Sequence, residues 1–189
     1  MRYFNCLWLM LAVLLVQGCV PIVAGGVGAS ALVLSDRRTS GIIIEDQNIE
    51  SKALGQIDAQ YQKTVHINVT SFNRAVLITG QVPNETIKAD IGKLVSTLTN
   101  VKSVTNELQI LALTDFSWRS NDAMITANIK MRFVSNGQGF KAENVKVVTE
   151  NSSVFLMGLV YHKEADAATQ IAGGSKGVER VVKVFEYLD

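Results

Sequence analysis

Two histidines are the side chains of this chain best suited to acid–base chemistry, and only His162 has acidic neighbours, Glu164 and Asp166. An imidazole beside a carboxylate can move protons near neutral pH. Neither histidine, however, has a cysteine, a serine nucleophile motif or a second ligand at metal spacing close to it. His66 falls in a predicted strand, and carboxylates are ordinary in the first turn of a helix. The sequence therefore predicts no catalytic residue and no metal site, and we expect a protein that is not an enzyme.

A glycine-rich run at residues 173–177 (GGSKG) has the composition of a phosphate-binding loop. It lacks the spacing of a P-loop, and it follows a predicted helix where a P-loop follows a strand. We interpret the run as the end of a helix.

The N-terminus has the layout of a secretory signal peptide, with Arg2 followed by an apolar run over residues 7–16. The following residues, Val16-Gln17-Gly18-Cys19, resemble the lipobox of bacterial lipoproteins, in which the cysteine is acylated and becomes the new N-terminus. We therefore predict a lipoprotein signal peptide over residues 1–18 and lipid attachment at Cys19.

An uncleaved signal anchor is the alternative interpretation of the N-terminus, because residues 20–34 would extend the apolar span. Pro21 and the glycines at 25, 26 and 28 make this stretch a poor membrane helix. A lipoprotein of the predicted kind carries three acyl chains, palmitate among them, and two such chains already make anchoring stable. The covalent lipid on Cys19 is the only attached group that we expect, with no other cofactor.

The residue after the predicted lipidated cysteine is Val20 and not aspartate. In the sorting rule that the lipobox resemblance implies, such proteins reach the outer membrane of Gram-negative bacteria and face the periplasm. Cys6 leaves with the signal peptide and Cys19 is acylated, so the mature chain has no thiol to form a disulfide. An apolar core alone must then hold the fold.

Charge is balanced in both halves of the chain. Residues 46–113 carry six basic and six acidic side chains, and residues 115–189 carry nine of each. Strong nonspecific binding to nucleic acid depends on an excess of cations, so we expect no nucleic-acid partner.

The chain contains one internal repeat. Residues 46–49 (DQNI) match 122–125 (DAMI), residues 78–82 (ITGQV) match 156–160 (LMGLV), and residues 100–104 (NVKSV) match 177–181 (GVERV). Three ordered matches at offsets of about 77 residues indicate a duplicated module with small loop changes.

Hydrophobic periodicity predicts the order helix, strand, strand, helix, strand in each copy. In the first copy, residues 49–57 have helical spacing behind Asp46, which we interpret as the N-cap, and residues 71–74 supply the hairpin turn. Pro83-Asn84 opens the second helix. Asn151-Ser152 forms the hairpin turn of the second copy.

Four residues have backbone roles in this prediction. Gly80 and Gly158 lie late in a strand, where a missing side chain indicates close backbone packing or a bulge. Asn100 and Gly177 stand where the second helix of each copy should stop, and both types tolerate a left-handed cap. We interpret all four as structural residues.

The predicted fold class is α+β, with two tandem αββαβ modules, each a three-stranded mixed sheet packed against two helices. Residues 46–113 form the first module and residues 114–189 the second, after a lipidated N-terminal tether at residues 19–45.

This arrangement resembles the BON-domain family. The features that carry the resemblance are the paired modules, the glycine that ends each second strand, the Asn/Gly-Val-x-x-Val entry to the third strand, and the sequence DRRTSG at residues 36–41. The order of these features is similar to that of dual-BON outer-membrane lipoproteins. The resemblance implies a periplasmic protein that binds anionic phospholipid, such as phosphatidylglycerol and cardiolipin, supports envelope integrity and gathers at division sites.

The first helix of the second copy has an apolar stripe beyond the one that folding requires. Ile125, Ile129 and Phe133 form the natural core face at about 100° per residue. A second stripe on the opposite side is suited to contact with anionic phospholipid; its members are Met124, Ala127, Met131 and Val134, bordered by Lys130.

The apolar stripe of the second copy has no counterpart in the first copy, and it differs from the family pattern at one position. In the first copy the positions equivalent to Met124, Ala127 and Met131 are Asn48, Ser51 and Gly55, so its outer face is polar. The family resemblance implies a tryptophan where this sequence has Met124. Either membrane affinity is weaker here, or Trp118 compensates as an interfacial aromatic anchor.

The alternative function is that of a protein-interaction scaffold. The stripe from Met124 to Val134 would then dock a partner from the outer-membrane assembly machinery or from peptidoglycan remodelling.

Overall fold

Both copies of the repeat fold in the order αββαβ that the sequence predicts. The computed structural model describes residues 36–113, 116–136 and 139–189. The predicted signal peptide, Cys19 and the tether as far as residue 35 lie outside the described residues. Ser35–Asp189 forms one compact unit, and all three apolar clusters described below lie within it. A fragment with these bounds therefore contains both complete modules.

The helices and strands of the first module are α1 (Ser40–Tyr61), β1 (His66–Phe72), β2 (Ala75–Val82), α2 (Glu85–Ser96), β3 (Ser103–Asn106) and β4 (Gln109–Ile110). Those of the second module are α3 (Phe116–Asn136), β5 (Val145–Glu150), β6 (Ser153–Val160), α4 (His162–Gly173) and β7 (Arg180–Tyr187). A short 3-10 helix precedes the first strand of each module, at Gln62–Thr64 and Ala142–Asn144.

Each sheet is mixed, as predicted, with its hairpin partner antiparallel and its last strand parallel to the central strand. The second sheet has three strands in the order β5-β6-β7. In the first sheet the last strand is broken into β3 and β4, both parallel to β2. The break follows Asn106, whose side chain donates to Lys88 O at 2.8 Å and accepts from Leu108 N at 3.2 Å. Residues 107 and 108 therefore belong to neither strand, although Glu107 N still donates to Ile78 O of β2 at 2.9 Å.

The predicted N-cap at Asp46 is wrong. Helix α1 begins at Ser40, capped by the Thr39 hydroxyl, which accepts a hydrogen bond from Ile42 N. Asp46 lies inside the helix, 3 % exposed, and its carboxylate accepts hydrogen bonds from Ser71 Oγ, Asn73 N and Arg74 N at 2.7–2.9 Å. The acidic residue is therefore a buried acceptor for the hairpin turn. Six residues of the segment predicted as tether, 40–45, are helical.

Both hairpin turns use two residues with positive φ. Asn73 and Arg74 have φ of 51° and 67°, and Asn151 and Ser152 have 48° and 59°. Two consecutive positive φ values define the type I′ turn, whose twist matches that of the flanking strands. The turn predicted within residues 71–74 is thus confined to residues 73 and 74, and the turn predicted at Asn151-Ser152 is confirmed.

The strand glycines are required by close backbone packing, as predicted. A Cβ at Gly80 would lie 1.9 Å from His66 O, and a Cβ at Gly158 would lie 2.3 Å from Asn144 O. Asn100 and Gly177 have the expected left-handed backbone, with φ of 71° and 87°. They do not cap the helices directly, because α2 and α4 end earlier, at Ser96 and Gly173. They turn the chain into the last strand instead.

Each module has its own apolar core between helices and sheet. The first core contains Ile49, Ala53 and Ile57 of α1 against Val76 and Ile78 of β2. The second core has the equivalent arrangement, and its α3 and β6 members are Ile125, Ile129, Phe133, Val154 and Leu156. The predicted core faces of α1, β2 and α3 are therefore confirmed.

A third apolar cluster joins the modules. Leu77 alternates with Val76 and Ile78 along β2 and so points to the opposite face of the sheet. There Leu77 and Phe72 pack against Phe155 and Met157 of β6, all at most 5 % exposed. The two sheets thus pack face to face, with the helices of each module on the outer side. We call this contact the seam.

Candidate functional site

Helix α3 is held against the second sheet by one apolar face. Ile125, Ile129 and Phe133 are at most 3 % exposed and recur at four-residue spacing. Beyond the helix, the Phe140 ring contacts that of Phe133 edge to face, with centroids 5.0 Å apart. Because these contacts fix the rotation of the helix, they also fix which side chains face outward.

The opposite side of α3 presents apolar side chains to solvent. Met124, Met131 and Val134 are 72 %, 66 % and 80 % exposed, and Ala127 and Lys130 are also exposed. At about 100° per residue these five positions span an arc of about 120°. We call Met124, Ala127, Lys130, Met131 and Val134 the outer face of α3. Single exposed apolar residues are normal, whereas a contiguous row of them is typical of interaction sites.

Trp118 does not share this face. It lies seven residues before Ile125, and seven residues bring a helix back to nearly the same direction. Trp118 therefore lies on the same side of α3 as the core face, near the start of the helix, where it is 52 % exposed. The structure brings five of the six predicted contact residues together and leaves Trp118 on another side.

The first module shows the same helix without the apolar outer face. Asn48, Ser51, Gly55 and Asp58 of α1 correspond to Met124, Ala127, Met131 and Val134, and all four are exposed. The polar outer face predicted for α1 is confirmed. Since the two modules share one fold, the apolar row on α3 is not required by that fold.

The two cations of α3 near this row have different roles. Lys130 is exposed on the outer face and makes no ion pair within the described part of the chain. Arg132 is turned towards α4, where its guanidinium donates to Ile171 O at 2.8 Å and also to Ser175 Oγ. Lys130 therefore supplies a solvent-exposed positive charge at one edge of the outer face, while Arg132 connects α3 to the C-terminal end of α4.

A buried carboxylate fixes α3 to the hairpin of its own sheet. Asp122 is 7 % exposed and accepts hydrogen bonds from Asn151 N and Ser152 N at 2.8 and 2.9 Å. This is the arrangement found for Asp46 in the first module. The repeat aligned these two aspartates in the sequence, but their role as turn acceptors was missed.

Two consecutive arginines just before α1 hold both modules, and we call them the arginine strap. The Arg37 guanidinium binds the second module, where it donates to both Glu164 carboxylate oxygens, at 2.6 and 2.8 Å, and to Leu159 O at 2.7 Å. It also lies 5.1 Å from the centre of the Tyr161 ring. The hydrogen bond from Arg37 lowers the pKa of Glu164 below its ordinary value.

Arg38, the second residue of the strap, binds the first module. It donates to Asp46 at 2.9 Å and to both oxygens of Asp36, and it stacks 3.8 Å from the centre of the Phe72 ring. The strap therefore pins the start of the described chain where the two modules meet. The local pattern of residues 36–41 gives no sign of these contacts, because Arg37 and Glu164 are 127 residues apart in the chain.

The histidines lie apart from one another. His66 is in β1, and His162 opens α4, where its ring contacts Asp189 at 2.7 Å and stacks 4.0 Å from Tyr187. The hydrogen bond from His162 lowers the pKa of Asp189. Glu164 is engaged with Arg37, and Asp166 forms an exposed ion pair with Lys183. Among residues 36–113, 116–136 and 139–189 we find no cluster of three or more metal-ligating side chains.

The model of the BON domain matches residues 45–112 and 121–189, which is most of the described chain. The chain belongs to the BON domain family. Each match coincides with one αββαβ module, so this is a BON protein with two domains in tandem.

Two relatives resemble this BON protein along most of their length. It is 39 % identical over 180 residues to the outer membrane lipoprotein DolP of Haemophilus influenzae, covering 94 % of this chain and 93 % of that protein. It is 33 % identical over 155 residues to the 21 kDa hemolysin of Actinobacillus pleuropneumoniae, covering 81 % and 79 %. The predicted resemblance to dual-BON outer-membrane lipoproteins is confirmed. Neither the family name nor the name DolP denotes an enzyme.

A solved structure of the C-terminal domain of CdsD, a structural protein of the type III secretion system of Chlamydia trachomatis, was also matched. The sequence identity is 16 % and the TM-score 0.29, over 78 % of this chain and 98 % of that domain. A similarity this low supports no statement about function.

The similarity to DolP over nearly the whole chain assigns this BON protein to the outer membrane, lipid-anchored and facing the periplasm. In the ranges that the structure covers, no helix has the length and apolarity needed to cross a bilayer. Cys19 lies outside those ranges, so lipid attachment at this residue stays a prediction.

Proposed function

We propose that this BON protein binds anionic phospholipid through the outer face of α3, and that it helps to maintain the envelope in this way. The observation that carries the proposal is the row of exposed apolar side chains on α3, which α1 of the same fold lacks. Phosphatidylglycerol and cardiolipin are the lipids that we expect it to bind. We expect the protein to bind lipid without catalysing a reaction. We also propose that it gathers at division sites.

Energetics support a weak and reversible contact. Burying one methionine or valine side chain contributes about 1.5–3 kcal/mol, so three such side chains on the outer face would outweigh modest ordering costs. Lys130 adds about 1 kcal/mol at an anionic surface. Met124 and Met131 have unbranched, polarisable side chains, which adapt to irregular surroundings such as headgroups and acyl chains.

A lipid anchor on Cys19 would allow even a weak affinity of α3 for the bilayer to keep α3 bound. The part of the predicted tether that precedes the described chain, residues 19–35, would reach at most about 60 Å from a lipid on Cys19. Within that distance the binding of α3 becomes intramolecular, and its occupancy rises far above that of a free protein. The arginine strap fixes where the tether leaves the folded part of the chain, and the seam keeps the two modules as one body.

Cosedimentation with vesicles tests the proposal. The fragment Ser35–Asp189, which has neither lipid nor apolar tether, is mixed with phosphatidylethanolamine vesicles that contain or lack phosphatidylglycerol and cardiolipin. We expect binding that requires the anionic lipids and that is lost in the variant Met124→Glu with Met131→Glu. The matched control is Asn48→Glu with Gly55→Glu on α1, which changes the equivalent positions and should leave binding intact.

Thermal unfolding monitored by circular dichroism establishes that the variants are folded. Absence of binding by the folded wild-type fragment would refute the phospholipid proposal. Equal binding by wild type and by the α3 variant would refute the outer face as the contact.

A protein-interaction scaffold is the second candidate function, and one observation favours it. The connection between the modules exposes Ile110, Leu111 and Leu113 by 42 %, 48 % and 49 %. Exposed apolar residues in succession are typical of sites that bind other proteins. The partners would belong to the outer-membrane assembly machinery or to peptidoglycan remodelling.

The two candidates differ in what binds at the outer face of α3. Replacement of Met131 by glutamate should abolish vesicle binding if lipid is the ligand. Under the scaffold hypothesis the same face docks a protein, so Met131→Glu should leave vesicle binding intact. Crosslinking of the intact protein in envelopes should then capture a partner protein, and capture should depend on Met124 and Met131.

A further inference from the structure

The methionines of this chain are distributed unevenly. Five are present, and Met1 and Met10 fall in the predicted signal peptide. Of the remaining three, Met157 is 1 % exposed in the seam, whereas Met124 and Met131 are 72 % and 66 % exposed on the outer face of α3. Both exposed methionines of the described chain therefore lie on the surface that we propose contacts lipid.

The spacing of the two methionines places them on one line. Seven residues separate them, which corresponds to about 10 Å along the helix axis and about 20° of rotation. Ala127 and Val134 complete the same face, and neither carries an oxidisable group. A reagent that reaches one of the two sulfur atoms from solvent therefore reaches the other under the same conditions.

We infer that Met124 and Met131 form a paired oxidation site, and that their conversion to methionine sulfoxide releases α3 from the membrane. A peroxide is the oxidant. The methionine sulfur attacks one oxygen of hydrogen peroxide, an S–O bond forms and the O–O bond breaks. The other oxygen leaves as hydroxide, which takes the proton from the transferred oxygen and departs as water. The sulfur loses two electrons and the peroxide gains them. This inference rests on the proposed function, because release presupposes lipid binding.

The physical consequence follows from the polarity of the product. A sulfoxide converts a flexible apolar side chain into a polar one. Burying that polar group in the acyl region without a hydrogen-bond partner is unfavourable. Oxidation would therefore make the outer face of α3 resemble the polar outer face of α1. Methionine sulfoxide is reducible by enzymes, so the change is reversible.

The environment of the protein favours such a reaction. The periplasm is oxidising and lacks the thiol systems that keep the cytosol reduced. The predicted mature chain has no free thiol, because Cys6 is removed and Cys19 acylated, so no cysteine competes for the oxidant. Met157 is protected by burial, so oxidation at the surface leaves the seam intact.

The experiment compares reduced and oxidised protein. The fragment Ser35–Asp189 is treated with hydrogen peroxide until its mass has increased by two oxygen atoms, which peptide mapping assigns to Met124 and Met131. Cosedimentation is then measured with vesicles of phosphatidylethanolamine, phosphatidylglycerol and cardiolipin. We expect binding to weaken by at least about tenfold, since burial of one methionine is worth about that factor. Treatment with methionine sulfoxide reductases and a dithiol should restore it.

The matched control is Met124→Leu with Met131→Leu. Leucine keeps the volume and apolarity of methionine but has no sulfur, so this variant should bind vesicles before and after peroxide with equal strength. Weakened binding of the leucine variant after peroxide would overturn the inference, because the cause would lie elsewhere.

Two further outcomes separate this inference from the proposed function. If the reduced protein binds and the doubly oxidised protein binds equally well, the oxidation site has no effect on binding and the inference is wrong, while the proposed function stands. If the reduced, folded protein does not bind, the proposed function fails and the inference fails with it.

Discussion

The backbone N–H of Asn151 donates a hydrogen bond of 2.8 Å to the carboxylate of Asp122. This bond connects the first helix of the second module to the tip of its hairpin, and Ser152 N donates to the same carboxylate. In the first module Asp46 accepts from Asn73 N and Arg74 N in the same way. Both modules therefore use a buried helical aspartate to satisfy a turn whose own backbone geometry leaves those N–H groups without a strand partner.

Removal of this acceptor should destabilise the protein. We expect Asp122→Ala to lower the free energy of unfolding by about 2 kcal/mol, because two backbone N–H groups lose their acceptor in a mostly buried site. Urea unfolding of wild type and variant measures the difference. Asp166→Ala is the control, because Asp166 pairs with Lys183 at the surface and its loss should change stability by less than about 0.5 kcal/mol. Equal effects of the two substitutions would contradict the assigned role.

Two glycine substitutions should have opposite effects. Gly158→Ala places a Cβ 2.3 Å from Asn144 O, just before β5, so the backbone there must move away from β6, and we expect the free energy of unfolding to fall by about 3 kcal/mol or more. Gly55→Ala in the exposed part of α1 meets no atom within 4 Å and should stabilise the helix by about 0.5–1 kcal/mol. Thermal unfolding of both variants gives the signs. A stabilising Gly158→Ala would show that the strands are not packed this closely.

The ion pair of the arginine strap should make stability depend on pH. The pKa of Glu164 is lower in the folded protein than its ordinary value of 4.5, because Arg37 donates to the carboxylate. The pair therefore stabilises the fold above pH 4.5, and this contribution is lost as the pH falls through the lowered pKa. We expect Glu164→Gln to be less stable than wild type at pH 7, and the difference to shrink as the pH falls below 4.5. Unfolding curves at pH 7, 5, 4 and 3 measure it; a difference that does not change with pH would be contrary evidence.

The seam contains a buried carboxylate that links the modules. Glu150 is 4 % exposed and accepts from Gln81 Nε2 at 2.6 Å and from Asn68 Nδ2 at 2.9 Å. We expect Glu150→Ala to lower the free energy of unfolding by about 2–3 kcal/mol, since two amide donors in the seam lose a charged acceptor. Glu179→Ala, at an exposed position before β7, is the control in the same denaturant titration. If Glu150→Ala unfolds like wild type, the seam does not depend on this residue.

Lys130 should contribute to lipid binding through its charge. We expect Lys130→Gln to weaken binding of the fragment Ser35–Asp189 to vesicles with phosphatidylglycerol by about fivefold, since one lysine near an anionic surface is worth about 1 kcal/mol. The loss should diminish at high salt, because screening weakens the wild type more than the variant. Lys52→Gln on α1 is the matched control and should bind as wild type does. Equal losses for both variants would mean that only net charge matters.

The sequence alone determined the local structure and the duplicated plan. The spacing of Ile125, Ile129 and Phe133 located a core face, and the alternation of Val76 and Ile78 located another, because helices and strands impose periods of 3.6 and 2 on buried residues. Asn151-Ser152 marked a turn because an asparagine tolerates positive φ there. The apolar residues of the outer face of α3 were predictable from the sequence because they lie on the side of the helix opposite the core face. These features can be predicted from the sequence because each depends on residues that are near one another in the chain.

Only the tertiary structure decided how the two modules meet and what the residues before them do. The sequence shows that Leu77, Phe155 and Met157 are apolar, but not that they pack against one another across the seam. It places Asp46 at a plausible helix start, whereas in the fold that carboxylate lies beside a hairpin about 27 residues away. Arg37 forms an ion pair with Glu164, which is 127 residues away in the sequence. Such contacts depend on the complementary shapes and charges of two folded surfaces, and the local periodicity of the sequence carries no information about them.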